Sequence, residues 1–190
     1  MDTKLLEAVR NYADAAHGSQ RRKYSPDRYI VHPIRVMETC SAFTQDPAIL
    51  SAALLHDVLE DTKFTRQQLQ DFLITIMDEG NASRTLKFVI ELTDIYTKEN
   101  YPHYNRRKRK RKEADRIEKT SAESQTIKYA DIIDNVPEIT EHDPDFANTF
   151  LHECKQLLSR MKKGNQELYQ RAVDVVTENL IKLKESVNGK

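Results

Sequence analysis

Between Ile49 and Leu59 the chain is apolar almost all round, with Ile49, Leu50, Ala52, Ala53, Leu54, Leu55, Val58 and Leu59. A helix without a polar face belongs in an interior, so this segment is expected to be the central and most buried helix. Asp46-Pro47 ahead of it reads as a cap and a first-turn proline. Apolar residues recur every three or four positions elsewhere too. Leu5, Val9, Tyr12 and Ala16 mark a first helix that Gly18 stops. Residues 18–31, with Pro26, read as a loop, and Pro33 opens a helix whose inward face is Ile34, Met37 and Cys40. Thr65 caps a helix with Leu69, Phe72, Leu73 and Met77, and Leu86, Val89, Ile90 and Thr93 mark the next. Residues 97–105 break the pattern, 106–119 form a highly charged helix, and Ser121 with Ser124 caps a helix through Ile127, Ala130 and Ile133. Two amphipathic helices at about 145–186 close the chain, one with Phe146, Phe150, Leu157, Leu158 and Met161, the other with Leu168, Ala172, Val175, Val176, Leu180 and Leu183. Gly164 lies between them. With only 4 Gly and 6 Pro, little is left for a turn-rich β fold. The expectation is all-α, a single helical domain over residues 1–190 with no sheet.

Composition narrows the function. Lys+Arg and Asp+Glu are 30 each, and a zero balance argues against a general nucleic-acid binder. The two cysteines, Cys40 and Cys154, build no disulfide framework and suit a reducing compartment. No apolar stretch reaches the ~18–20 residues that span a membrane, and Met1-Asp2-Thr3-Lys4 does not open as a signal peptide. The expected location is the cytoplasm, with no membrane partner.

The apolar helix runs into Leu54-Leu55-His56-Asp57-Val58-Leu59-Glu60-Asp61-Thr62, which sets four ionisable groups within six residues. On a continuous helix His56 stands over Glu60 and Asp57 over Asp61. Carboxylates at the end of a buried helix are costly without a positive partner, and the helix dipole opposes them there. A divalent ion that neutralises several together is one solution. A solvated last turn is the other, and spacing leaves both open. His32, in Tyr29-Ile30-Val31-His32-Pro33, reads as a cap or surface residue or as a further ligand. Asp131, in an apolar helical stretch, reads as an ion-pair partner of Lys128 or as a site residue.

In chain order, His32, the His56-Asp57 pair and the distant Asp131 resemble the H…HD…D pattern of the HD-domain metal-dependent phosphohydrolases. The likeness extends to Gln20-Arg21-Arg22-Lys23, Tyr29-Ile30-x-His32-Pro33, Ala53-Leu54-Leu55-His56-Asp57-x-x-Glu60-Asp61-Thr62 and Lys128-x-Ala130-Asp131-x-x-x-Asn135. Together these resemble the hydrolase domain of RelA/SpoT-type proteins and its stand-alone form, the small alarmone hydrolases, over roughly residues 8–140. The resemblance implies a single HD-domain helical bundle that binds Mn²⁺. It also implies removal of pyrophosphate from the 3′ position of guanosine tetra- or pentaphosphate. By the same resemblance His32, His56, Asp57 and Asp131 are the metal ligands. Glu60 and Asp61 match the catalytic pair that works on the attacking water, Arg22 and Lys23 the basic pair beside the nucleotide, Lys98 a substrate lysine, and Asn135 a residue near the nucleoside. Asp134 departs from the family's His or Tyr at that position, and the basic run at 106–112 is denser than in the family.

Elementary chemistry agrees with the implied site. Two imidazoles and two carboxylates suit Mn²⁺, Fe²⁺ or Zn²⁺ without separating them. The basic run Arg106 to Lys112 has three readings. It is a solvated face balanced by Glu113, Asp115 and Glu118; or it lines a phosphate pocket, through Arg106 or Arg107; or it is a nucleic-acid patch, although it lacks interleaved aromatics. His17, His103, His142 and His152 read as surface or packing residues. The expected partner is a nucleotide polyphosphate substrate. The rival readings are an HD phosphohydrolase of another nucleotide (an adenosine alarmone, a deoxynucleotide or NADPH) and a basic nucleic-acid-binding helical protein.

Overall fold

The computed structural model describes residues 3–188, with side chains as far as residue 185, in two units, Met1–Thr93 and Asp94–Lys190. The first unit holds α1 (Thr3–His17), α2 (Val31–Ser41), α3 (Pro47–Leu55), α4 (Val58–Asp61), α5 (Arg66–Ile76) and α6 (Glu79–Leu92). The second holds α7 (Arg106–Ile117), α8 (Ala122–His142), α9 (Pro144–Arg160) and α10 (Gln166–Asn188). Among the described residues no strand forms, only an isolated antiparallel bridge between Arg21 and Arg28. The protein is all-α, as its periodicity implies.

In the first unit α3 is the centre. Every residue from Ala48 to Leu55 is buried, and α1, α2 and α6 pack around it. Asp46 starts it by accepting the Ala48 N–H at 2.9 Å, and Arg84 on α6 pairs with the same carboxylate. Thr65 and Gln68 form a reciprocal capping box on α5, so the cap expected at Thr65 is present. Two inward faces differ from expectation. On α1 the buried residues are Leu6, Val9, Ala13 and His17, while Leu5, Tyr12 and Ala16 are half-buried. On α2 they are His32, Pro33, Val36 and Cys40, while Ile34 and Met37 are half-buried. In both helices a histidine takes an inward position that a reading of apolar residues assigns elsewhere.

In the second unit α8 and α9 pack on each other and on α10, and α7 packs on α9. The buried Gln125 staples the segment between α7 and α8. Its amide donates to the carbonyls of Ile117 at 3.2 Å and Glu118 at 3.3 Å, and its oxygen accepts the Lys163 N–H at 2.9 Å. The α9–α10 connection lies flat against α8: Asn165 N–H donates to Thr126 Oγ1 at 2.9 Å, and Tyr129 donates to the Met161 carbonyl at 3.0 Å. Gly164 makes this approach possible. A Cβ there would stand 2.5 Å from the Tyr129 ring, 2.8 Å from the Thr126 nitrogen and 2.9 Å from Thr126 Oγ1. Gly164→Ala is therefore expected to destabilise the fold by about 1–3 kcal/mol, the usual cost of overpacking. A thermal melt should show this as a fall of several degrees. An unchanged melting temperature would mean that the connection yields freely.

The basic run is not a plain solvated face. Arg106 makes a two-pronged pair with Glu153, 2.7 Å at each prong, and Lys110 pairs with Asp94 at 3.0 Å. Glu113 is buried; it takes Arg116 and accepts the N–H groups of Ile95 at 3.1 Å and Tyr96 at 3.0 Å. Asp115 and Glu118 pair with Arg160 of α9. The preceding loop supplies the aromatics that the run itself lacks: the Lys108 ammonium lies 3.8 Å from the Tyr104 ring centroid.

Candidate metal centre

The site in the first unit forms where α2 begins and α3 ends. His32 is the second residue of α2 and is 1% exposed, so it is neither a surface residue nor a cap. α3 stops at Leu55, and His56 and Asp57 form a turn before the short α4. The continuous helix that the apolar pattern suggests is thus interrupted at the ionisable pair. The chain stays near helical geometry, with Asp57 at φ −97°, ψ −6° and its carbonyl accepting the Asp61 N–H at 2.8 Å. The interruption buries His56, leaves Asp57 half-buried and puts Glu60 and Asp61 in solvent.

Both imidazoles meet one carboxylate oxygen. His56 Nε2 is 3.1 Å and His32 Nε2 3.6 Å from Asp57 Oδ2, and the ring centroids are 5.1 Å apart. The three donor atoms lie within 4.8 Å of one another. His56 Nδ1 lies 2.8 Å from the Ala53 carbonyl. A carbonyl only accepts, so this contact places a proton on Nδ1 and leaves Nε2 facing Asp57. Such a carbonyl contact is the usual outer support of a ligating histidine. Two ring nitrogens and a carboxylate oxygen, gathered at a largely buried point, fit a divalent ion with mixed nitrogen and oxygen preference.

Tyr29, quoted in the motif but given no role by the sequence, is part of this arrangement. Its hydroxyl donates to Asp57 Oδ2 at 2.7 Å. Burial above all, with the charges of Asp57 and Asp61 adding to it, pushes the Tyr29 phenol well above its ordinary range, so it remains a donor. Arg22 lies with its guanidinium carbon 5.7 Å from the Tyr29 ring centroid. Lys23 is exposed and reaches Tyr24 Oη at 2.6 Å. The other sequence-derived residues lie in the second unit. Asp131 on α8 is buried, 2.7 Å from Lys128 Nζ, and accepts Asn135 Nδ2 at 2.6 Å. The Lys128 pairing expected as one reading of Asp131 is thus real. Lys98 is exposed in the 94–105 loop, and Arg106 is held by Glu153.

The HD domain family model matches residues 29–136, and this chain belongs to that family. It is 30% identical over 168 residues to guanosine-3′,5′-bis(diphosphate) 3′-pyrophosphohydrolase MESH1 of Xenopus tropicalis, covering 86% of each chain. It is 38% identical over 80 residues to a GTP pyrophosphokinase of Streptomyces coelicolor, a match to 40% of this chain but only 9% of that protein. A solved structure described as a metazoan ortholog of SpoT that hydrolyzes ppGpp superposes with a TM-score of 0.76 at 24% identity, over 94% of this chain and 96% of that one. At that identity the likeness concerns the fold.

Proposed function

We propose that this protein is a metal-dependent 3′-pyrophosphohydrolase of guanosine 3′,5′-bis(diphosphate), converting the tetra- and pentaphosphates to GDP and GTP plus pyrophosphate. The observation that carries the reading is the cluster of the buried His32 and His56 with the half-buried Asp57, in a chain similar to the Xenopus hydrolase over 86% of both lengths. We treat residues 1–190 as one functional domain, since the family match at 29–136 runs through both units. No helix among the described residues is long and apolar enough to cross a membrane, and both thiols are buried and free. These features support the cytoplasm as the location in this reading.

His32, His56 and Asp57 would hold the ion, with Asp131 as the fourth ligand on the motif alone. Mn²⁺ is the ion that the family resemblance favours. Such an ion polarises a phosphoryl oxygen and eases deprotonation of water. The chain's own residues do the rest. Glu60 and Asp61, exposed one turn beyond the pair, orient the attacking water and take up its proton, with Glu60 as the base. Arg22 and Lys23 hold the anionic substrate and offset charge on the departing pyrophosphate, with Lys98, Arg106 and Asn135 as further substrate contacts. Metal-depleted protein reloaded with Mn²⁺ and offered a nucleotide panel, with pyrophosphate and phosphate assayed separately, tests the reading. Pyrophosphate released from the guanosine alarmone is expected. Preference for an adenosine alarmone, a deoxynucleotide or NADPH would move the substrate and keep the family.

Arg22→Ala is expected to raise KM and lower kcat/KM by about 10–100-fold, the worth of a charged hydrogen bond at ~1.5–3 kcal/mol, with metal content unchanged. Neutralising the exposed Arg107 and Arg111 should change only the salt dependence of the rate. Kinetics at two salt concentrations separate these outcomes.

A further inference from the structure

The loop between α1 and α2 carries a candidate substrate cation and a hydrogen-bond donor to a candidate metal ligand, and one side chain joins the two. Tyr29 donates its hydroxyl to Asp57 Oδ2 at 2.7 Å, while the Arg22 guanidinium lies 5.7 Å from its ring centroid. We propose that Tyr29 is a positioning residue: its hydroxyl fixes the Asp57 carboxylate for divalent-ion binding, and its ring steadies Arg22 for the substrate anion. This inference rests on the metal-dependent reading above.

The geometry makes Tyr29 suited to that task. Its N–H donates to the Gln20 carbonyl at 3.0 Å, inside a loop closed by the Arg22 N–H on the Asp27 carbonyl, also at 3.0 Å. Arg28 ties the same loop to α1 through Asp14 at 2.8 Å and the Gly18 carbonyl at 3.1 Å. Behind the ring, the buried His17 packs at 4.5 Å between centroids and 31° between planes, and Gln20 Oε1 holds His17 Nδ1 at 2.9 Å. The hydroxyl is therefore presented from a fixed ring. An aspartate carboxyl turns easily about its last torsion, which is broad and two-fold. A fixed donor on Oδ2 restricts that turning at the oxygen that both imidazoles face. The ring face is a weaker but directional seat for a guanidinium.

Two substitutions separate the parts. Tyr29→Phe removes the hydroxyl and keeps the ring; Tyr29→Leu removes both. Metal-free wild type and both variants are titrated with Mn²⁺ by calorimetry and then, without metal, with inorganic pyrophosphate. Tyr29→Phe should bind Mn²⁺ about 10–100-fold more weakly, the usual cost of losing an outer hydrogen bond to a ligand, with pyrophosphate affinity retained. Tyr29→Leu should weaken both. Wild-type Mn²⁺ affinity in Tyr29→Phe overturns the role of the hydroxyl, and wild-type pyrophosphate affinity in Tyr29→Leu overturns the role of the ring. Should Tyr29→Phe fail to fold, His17→Ala and His17→Phe replace it. Ala withdraws the backing ring and should weaken Mn²⁺ binding, Phe should restore it, and equal affinities in the two overturn the proposal. A wild-type protein that binds no divalent ion would instead sink the metal-dependent reading itself.

Discussion

A His56→Ala chain is expected to bind no Mn²⁺ at concentrations that saturate the wild type and to show no measurable turnover. The ring is 3% exposed, is fixed through Nδ1 on the Ala53 carbonyl at 2.8 Å, and faces Asp57 through Nε2 at 3.1 Å. Alanine deletes one of the three clustered donors and offers no replacement. It also leaves the Asp57 carboxylate half-buried without the ion's charge to face, a costly state for an anion. Thermal melts with and without Mn²⁺ give a second measurement. An ion that binds only the folded chain stabilises it by about 2.7 kcal/mol at a hundred times its dissociation constant. The wild type should melt higher with the ion, and the variant should not respond. A variant that still melts higher with Mn²⁺, or still hydrolyses substrate, would remove His56 from the metal centre.

The same residues show how much of the site was legible in the sequence. The central helix was, because a segment apolar on every side has only one place to go, and Ala48 to Leu55 are all buried. The caps at Asp46, Thr65 and Ser121 were also legible, since each is a local contact between a side chain and a nearby N–H. The break after Leu55 was not. Val58 and Leu59 continue the apolar period across it, and periodicity records which faces are buried, not where the backbone turns. The inward faces of α1 and α2 were misread for a related reason. His17 and His32 occupy buried positions, and a pattern scored on apolar residues passes over them. His32 beside Pro33 looks like an ordinary helix start to local rules; the family motif marks it, and its tertiary neighbours, His56 and Asp57, show why. Tyr29 carried no local sign of its contact with Asp57, which lies 28 residues away. One reading of the basic run makes Glu113 a solvated counter-charge, but it is buried against the N–H groups of Ile95 and Tyr96, a pairing that spacing cannot reveal.

Glu60→Gln is expected to lower kcat by about 10²-fold or more while metal content stays full and KM changes little. Glu60 and Asp61 are exposed on α4, whereas the clustered donors belong to His32, His56 and Asp57. Asp61 Oδ2 accepts Gln20 Nε2 at 3.5 Å, and Tyr29 stands close by. On the family motif, we propose Glu60 as the base and Asp61 as the residue that orients the attacking water. Glutamine keeps the shape and hydrogen-bonding reach of Glu60 and loses only the capacity to accept the proton, so a loss confined to kcat would be specific. Metal analysis of the same preparation completes the test. If Glu60→Gln empties the site, Glu60 is itself a ligand, and either His32 or Asp131 has been given its place wrongly. If turnover and metal content both survive, the proton goes elsewhere, and Asp61→Asn becomes the variant that must show the loss in kcat.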